Sequence, residues 1–175
     1  MLEAGIRDRI AIVEDDITTL DVEAIVNAAN TSLLGGGGVD GAIHRRAGRE
    51  LVEECRMLNG CETGQAKITK GYKLPAKYVI HTPGPVYQGG HKGERALLAS
   101  CYRSCLDLCV KHGIQTVAFP GISTGIFGYP QREAADTAIA TIAEHLRRNE
   151  TPARVILCTY DLLATVIVTE ALAEA

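Results

Sequence analysis

Two asparagines, an aspartate and a run of glycines lie close together near the start of the chain. Asn27 and Asn30 precede the glycines at positions 35–38, and Asp40 and His44 follow them. Glycines that lead into a helix let bare backbone N–H groups approach an anion closely. A carboxylate and a carboxamide beside such a loop could orient a water molecule and hold hydroxyl groups. The stretch therefore predicts a phosphate-binding loop with polar groups suited to hydrolysis.

A second glycine-containing loop occupies residues 119–130 and also leads from an apolar segment towards a helix. Ser123 and Thr124 supply hydroxyl groups there, so this loop is a second candidate phosphate cradle. Phe127 lies between Gly125 and Gly128. Two interpretations of Phe127 stay open: its ring stacks on a sugar, or it is simply buried.

Apolar runs alternate with helical patterns along almost the whole chain. Strands are predicted at 10–13, 24–27, 65–72, 77–81, 116–119 and 155–158. Helices are predicted at 39–48, 49–58, 94–112 and 133–147, with a last one at 162–173 where a strand is the alternative. Such alternation predicts an α/β domain with helices on both faces of a sheet. Both glycine loops then follow strands, at the edge where α/β proteins bind ligands.

Composition narrows the function classes. The net charge of −3 argues against non-specific nucleic-acid binding, and no apolar run is long enough to span a membrane. Without a signal-like N-terminus, a cytoplasmic location is expected.

Three of the six cysteines, Cys101, Cys105 and Cys109, recur every fourth residue. Burial on one helix face is the first interpretation, and a metal site with His112 is the alternative.

These motifs together resemble the macrodomain family, and its MacroD-type branch in particular. The matching segments span roughly residues 10–161, and the most specific of them are 26–30, 34–44 and 122–130. The resemblance implies one domain over residues 1–175, with a three-layer α/β/α fold and a mixed, mostly parallel sheet of about six strands. It also implies an ADP-ribose cleft across the strand ends, with neither a metal nor another cofactor.

The resemblance also assigns roles to single residues by matching position. Asp16 would accept a hydrogen bond from the adenine amine beside the Ile17 backbone, and Tyr160 would pack on the adenine ring. Asn30 and Asp40 would face the scissile bond. The remaining ligand-binding set is Asn27, Gly36, Gly37, Gly38, Val39, His44, Ser123, Thr124, Gly125, Ile126 and Phe127, with His44 supporting the first loop from its helix. The chain departs from common family residues at Asp15, Pro83, Gly121 and Phe127.

The expected reaction is hydrolysis of ADP-ribosyl esters, either on Asp or Glu side chains of proteins or in O-acetyl-ADP-ribose. Asp40 would orient or partly deprotonate the water, and Asn30 would fix the ribose hydroxyls. A structural role for Asp40, as the cap of a helix starting at Gly41, is the alternative. Two other functions use the same cleft: a reader that binds ADP-ribose without cleaving it, and a phosphatase acting on ADP-ribose 1″-phosphate. The expected partners are ADP-ribose and ADP-ribosylated proteins, and the chain is expected to be a monomer.

Overall fold

The computed structural model describes residues 1–175 and contains six strands: β1 Ile10–Glu14, β2 Ala24–Ala29, β3 Lys67–Lys70, β4 Tyr78–Pro83, β5 Thr116–Phe119 and β6 Arg154–Thr159. They form a single sheet in the order β1-β6-β5-β2-β4-β3. Every neighbouring pair is parallel except β3 and β4, which are antiparallel. The mixed, mostly parallel sheet expected from the sequence is therefore confirmed.

Helices cover both faces of this sheet: α1 Ala4–Arg7, α2 Gly38–Ala47, α3 Arg49–Arg56, α4 Glu94–His112, α5 Gln131–Arg148 and α6 Leu162–Glu174. A 3₁₀ turn, Ile17–Thr19, follows β1. Helices α2 and α3 pack on one face, and the other four helices contribute to the core on the opposite face. The result is the predicted three-layer arrangement. None of the helices has both the length and the apolar character needed to traverse a bilayer.

Successive residues of the central strands supply two separate apolar cores. Val117 and Phe119 of β5 lie in the core under α4 and α5, whereas Ala118 between them lies in the core under α2 and α3. The same alternation relates Ile25 to Val26 in β2. Because side chains of a strand point alternately to opposite faces, a strand covered on both sides must be apolar throughout. This explains the short, continuous apolar runs of the sequence.

The three regularly spaced cysteines of α4 are core residues. Cys101, Cys105 and Cys109 are fully buried among apolar side chains. Burial raises the pKa of Cys109 to about 12, so its thiol stays protonated and acts as a small apolar group. No cluster of side chains with the composition of a metal site is present. The buried interpretation is confirmed.

Two elements differ from the sequence-based expectation. Strand β3 is shorter than 65–72, and its buried residue is the polar Thr69, whereas Ile68 is only half-buried. Thr69 faces inward because its hydroxyl lies 2.9 Å from Nε2 of the buried His81 on β4. The short helix α1 was not predicted, and residues 166–168 belong to α6 and not to a strand.

Five parallel strands end at the same edge of the sheet. The loops that follow β1, β2, β4, β5 and β6 therefore meet there. Both glycine loops of the sequence, after β2 and after β5, are among them. The fold thus places the two candidate phosphate cradles side by side, as the open edge of an α/β sheet allows.

The buried Glu94 at the start of α4 holds a neighbouring loop at this edge through hydrogen bonds. Its carboxylate accepts hydrogen bonds from the backbone N–H groups of Gln88, Gly90 and Lys92, at 2.6–3.0 Å. Burial opposes ionisation of Glu94, but these N–H donors outweigh it and lower the pKa to about 2. The loop that Glu94 holds also contains Tyr87, whose N–H donates to the carbonyl oxygen of Phe127.

We expect the Glu94 carboxylate to make the free energy of unfolding depend on pH. Its lowered pKa in the folded state stabilises the protein above about pH 4.5, and this contribution is lost as the pH falls towards about 2. Glu94→Gln should unfold at lower urea concentration at pH 7 and show a smaller decrease in stability on acidification than the parent. Glu150→Gln, at an exposed carboxylate, is the control. Identical urea midpoints for Glu94→Gln and the parent would contradict the assignment.

Candidate functional site

A cleft of about 820 Å³ opens at the carboxyl edge of the sheet. Its walls are built mainly by the loops after β1, β2, β5 and β6, together with the first turn of α2. The predicted site residues that line it are Asp16, Ile17, Asn30, Gly36, Gly37, Gly38, Val39, Asp40, Ser123, Thr124, Gly125, Ile126, Phe127 and Tyr160. The fold therefore brings together residues that are more than 140 positions apart in the chain, such as Asp16 and Tyr160.

The first glycine loop is organised by the side chain of Asn30. Its Nδ2 donates to the carbonyl oxygen of Gly35 at 2.8 Å, and its Oδ1 accepts from the N–H of Leu33 at 3.1 Å. One N–H of the Asn30 amide is thus used by the loop, and the second is free to donate into the cleft. Helix α2 starts at Gly38 without a side-chain cap, so its first N–H groups are available to an anion.

Glycine is required where this loop crosses α2. A Cβ atom at Gly41 would lie 2.6 Å from the carbonyl oxygen of Gly36. A Cβ at Gly36 would lie 3.2 Å from Oδ2 of Asp40 and 3.4 Å from Nδ2 of Asn30. The two predicted catalytic side chains therefore converge on the same space beside Gly36. Gly41 was not among the site residues predicted from the sequence, although its position directly after the predicted catalytic Asp40 could have indicated one.

The carboxylate of Asp40 is buried and held in a fixed orientation. Its side chain accepts a hydrogen bond at Oδ1 from Nδ2 of Asn27, at 2.9 Å, and the residue is 4% exposed. Nε2 of His44 lies 3.4 Å from the same oxygen. The alternative role as a helix cap is wrong, because α2 begins at Gly38 with Gly37 as its N-cap residue. Oδ2 of Asp40 is left without a hydrogen bond from the protein.

Asn27 and His44 are placed behind the cleft and not in its wall. Asn27 is fully buried in β2, and His44 lines a separate groove on the outer side of the first loop. Asn27, which was predicted to contact the ligand, is therefore not part of the cleft wall, whereas His44 lies against the first glycine loop, which it was predicted to support. Both side chains approach Asp40 instead, so they position the carboxylate from behind.

A chain of buried polar groups extends from Asp40 to β3. Besides Asp40, the Nδ2 of Asn27 donates to Nδ1 of His81 at 3.2 Å. Because an amide nitrogen can only donate, Nδ1 of His81 must accept, and Nε2–H then donates to the hydroxyl of Thr69. Burial, with the nearby His44, lowers the pKa of His81 to about 4, which keeps the ring neutral. His81 and Thr69 were not among the site residues predicted from the sequence.

The second glycine loop presents a hydroxyl that no protein group satisfies. Ser123 has a left-handed backbone with φ of 65°, and its buried Oγ has no hydrogen-bond partner. A Cβ at Gly84 would lie 2.2 Å from this Oγ, so only glycine fits after β4 at this point. This hydroxyl is not accessible to solvent and lies against Gly84, so it faces the neighbouring loop and is not itself exposed in the cleft. Gly84 is a site residue that the sequence analysis did not single out.

Phe127 and Gly121 complete this loop. Phe127 is half-buried and lines the cleft, so it is neither a core residue nor fully exposed. A Cβ at Gly121 would lie 2.7 Å from Oγ1 of Thr124, so glycine leaves room for this hydroxyl.

The opposite end of the cleft is more exposed. Oδ1 of Asp16 accepts from the N–H of Thr18 at 3.0 Å and from its hydroxyl at 2.7 Å, which caps the 3₁₀ turn. Its Oδ2 is left without a protein donor. The Tyr160 side chain lies across the cleft and is 83% exposed, leaving its ring free to cover a flat ligand. Cys158, which the sequence analysis did not include, also lines this end.

Comparison with known proteins decides the family. The model of the Macro domain family matches residues 26–138, a span that includes both glycine loops and Asp40. The chain belongs to the Macro domain family. This macrodomain is 63% identical over 154 residues to a macro domain-containing protein of Mesorhizobium japonicum, with 88% of each chain covered.

Two further relatives of the macrodomain have named activities or ligands. Mouse ADP-ribose glycohydrolase MACROD1 is 55% identical over 157 residues, which cover 89% of this chain and 49% of that protein. A Trypanosoma brucei macrodomain solved in complex with ADP-ribose is 41% identical, with a TM-score of 0.88 and coverage of 93% and 68%. The three-layer fold and the MacroD-type resemblance are both confirmed.

We expect Gly41→Ala to weaken ligand binding by displacing the first glycine loop. The added methyl group would press on the Gly36 carbonyl oxygen, and such overpacking costs about 1–3 kcal/mol. Because this strain falls on the loop that binds the ligand, the affinity should fall by roughly 5- to 150-fold. Titration calorimetry with ADP-ribose, the ligand of the trypanosome relative, measures the effect. Gly5→Ala, where a Cβ meets nothing within 4 Å, is the control. Unchanged affinity in a cooperatively folded Gly41→Ala protein would contradict the proposed contact.

Proposed function

We propose that this macrodomain binds ADP-ribose in the cleft and hydrolyses ADP-ribosyl esters with a water molecule activated by Asp40. The supporting observation is the convergence of Asp40 Oδ2 and Asn30 Nδ2 on the space beside Gly36. One group can accept a proton and the other can donate a hydrogen bond, which are the two requirements for holding a water and a ribose hydroxyl. The glycohydrolase name of the mouse relative supports the same reaction class.

The diphosphate binds between the two glycine loops. The uncapped N-terminus of α2 supplies backbone N–H groups and the positive end of its dipole. From the other side, the loop from Ser123 to Phe127 encloses the same space. Dipoles and neutral donors therefore bind the phosphates, and the net negative charge of the chain is no obstacle.

The two ends of the ligand follow from this placement of the diphosphate. The adenine lies at the exposed end, where the free Oδ2 of Asp16 accepts from its amine and the ring of Tyr160 covers it. The distal ribose lies against Phe127 and Asn30, and its ester bond faces Asp40.

Hydrolysis requires only a positioned water and a proton acceptor. Oδ1 of Asp40 is occupied by the Asn27 amide, so Oδ2 is the atom that accepts the proton of the attacking water. The second N–H of Asn30 holds a ribose hydroxyl and fixes the scissile bond against that water. ADP-ribosyl esters have good leaving groups, so neither a covalent nucleophile nor a metal is required in this scheme.

The substrates we propose are proteins with ADP-ribose on Asp or Glu side chains, and O-acetyl-ADP-ribose. Both carry a carboxylic ester on the distal ribose, so we propose that one cleft serves both. The cytoplasmic location and the monomeric state expected from the sequence stay predictions. Six buried cysteines without disulfides agree with a reducing compartment.

We expect Asp40→Asn to separate hydrolysis from binding. The amide has the size of the carboxylate but cannot act as a base, so release of ADP-ribose should fall by roughly 10²-fold or more. The affinity for ADP-ribose should stay within about threefold, because the diphosphate is held by other groups. Turnover is measured with a mono-ADP-ribosylated acidic protein and with O-acetyl-ADP-ribose. A parent protein that binds ADP-ribose but cleaves neither substrate would be a reader, and the proposed reaction would be wrong.

We expect Asn27→Leu to lower kcat while leaving KM nearly unchanged. The substitution keeps the branched shape of the side chain but removes the N–H that orients Asp40, so the base is misplaced without loss of ligand contacts. Loss of this oriented hydrogen bond should cost roughly 10- to 100-fold in kcat. Thermal unfolding of the variant checks that β2 is still formed. An increase in KM at constant kcat would contradict the positioning role and favour direct ligand contact.

A further inference from the structure

A second concave surface adjoins the catalytic end of the cleft, on the outer side of the first glycine loop. It measures about 400 Å³ and lies between this loop and the exposed faces of α2 and α3. We call it the arginine groove, and define it by Leu34, Gly36, Arg45, Arg49, Val52 and Arg56. None of the proposed binding steps for ADP-ribose uses the three arginines.

The positive charge of the arginine groove is not neutralised by the protein. No acidic residue lines it, although the chain as a whole has a net charge of −3. Arg45 and Arg56 form no ion pair. Arg49 approaches a carboxylate of Glu53 only at 3.8 Å, and its side chain is 90% exposed. Arg45 and Arg56, which have no ion pair, and Arg49, which has only a long one, therefore form a local anion-binding surface.

The break between α2 and α3 creates this concentration of charge. Gly48 ends α2 and precedes α3 with φ of 89°, a left-handed conformation that favours glycine. Arg45 stands four residues before Arg49, and Val52 and Arg56 follow on the next turns of α3. The break at Gly48 thus lets side chains of two helices line one groove.

The arginine groove is continuous with the catalytic end of the cleft. Gly36 and Arg45 line both concavities. Gly36 is also the position on which Asn30 and Asp40 converge. The groove therefore starts at the point where the scissile ester lies in the proposed function, and where the acyl side of the ester must leave the cleft.

We propose that the arginine groove binds an acidic polypeptide, namely the segment of the substrate protein that flanks the ADP-ribosylated Asp or Glu. This inference rests on the proposed function for the placement of the ester. Arginine forks match carboxylates in bidentate geometry, and Leu34 and Val52 provide apolar contacts for the peptide between them. A nucleic acid is the less favoured occupant, because the groove has no Phe, Tyr or Trp side chain for base stacking and the chain is acidic.

Comparison of two ligands tests this proposal without relying on turnover. Dissociation constants are measured in the Asp40→Ala background, which prevents cleavage, for free ADP-ribose and for a glutamate-rich peptide carrying one ester-linked ADP-ribose. The double variant Arg49→Glu/Arg56→Glu reverses the charge of the groove at two residues outside the ligand cleft. Arg103→Glu/Lys111→Glu, at exposed positions of α4, makes the same change in net charge on another surface.

We expect the groove variant to bind the modified peptide roughly tenfold or more weakly, with the affinity for ADP-ribose within about twofold. The α4 control should change neither value. An unchanged peptide affinity, or an equal loss for both ligands, would overturn the proposal. A short single-stranded oligonucleotide and an unmodified glutamate peptide of equal charge are also compared as competitors of the modified peptide. Stronger competition by the oligonucleotide would overturn the proposal as well. Only binding is measured here. A failure of ester hydrolysis would therefore overturn the proposed function, but the dissociation constants for the modified peptide and for ADP-ribose could still be compared.

Discussion

The hydrogen bond from the Asn27 amide to the Asp40 carboxylate is the interaction on which the site depends. A carboxylate that is 4% exposed needs a fixed donor, because burial without one is costly. Asn27 supplies that donor from the rigid core of β2, and its second N–H is anchored by a neutral His81. The amide cannot be reversed without turning its oxygen towards Asp40. The network therefore fixes which carboxylate oxygen faces the ligand cleft.

Close backbone approach is the second constraint, and it explains the glycines better than flexibility does. Gly36, Gly41 and Gly84 stand where a Cβ atom would collide with, or crowd, a functional atom or the neighbouring loop. Because glycine has no side chain, the two strand-to-helix loops approach each other closely enough to enclose a diphosphate. The rest of the first loop is held by hydrogen bonds such as that of Asn30 to Gly35. A rigid cleft of this kind orders little on binding, which favours affinity.

The protein separates two ways of binding negative charge. In the proposed function, the N–H groups at the start of α2 and the second glycine loop bind the phosphates inside the cleft, and no ion pair is needed. Three arginines with weak or no ion pairs are gathered in the arginine groove beside it. Fixed dipoles suit a ligand whose atoms must be held in register for reaction. Long, exposed arginine side chains suit a variable polypeptide, since they adapt to carboxylates at different positions.

Local patterns in the sequence were sufficient for the strands and main helices, and for Asn30, Asp40 and the glycine loops, because apolar periodicity and glycine runs report on neighbouring residues. Only the tertiary structure decided what lies behind and beside the site. Asn27 contacts His81, 54 positions away, and this contact turned a predicted ligand residue into a positioning one. Thr69 faces inward against the apolar pattern for the same reason. Gly84 likewise depends on which distant loops the parallel sheet places together, and sequence spacing carries no signal for that. The arginine groove is built by residues 34–56 alone, but it depends on how the first loop, α2 and α3 pack together, which the helical pattern by itself does not determine.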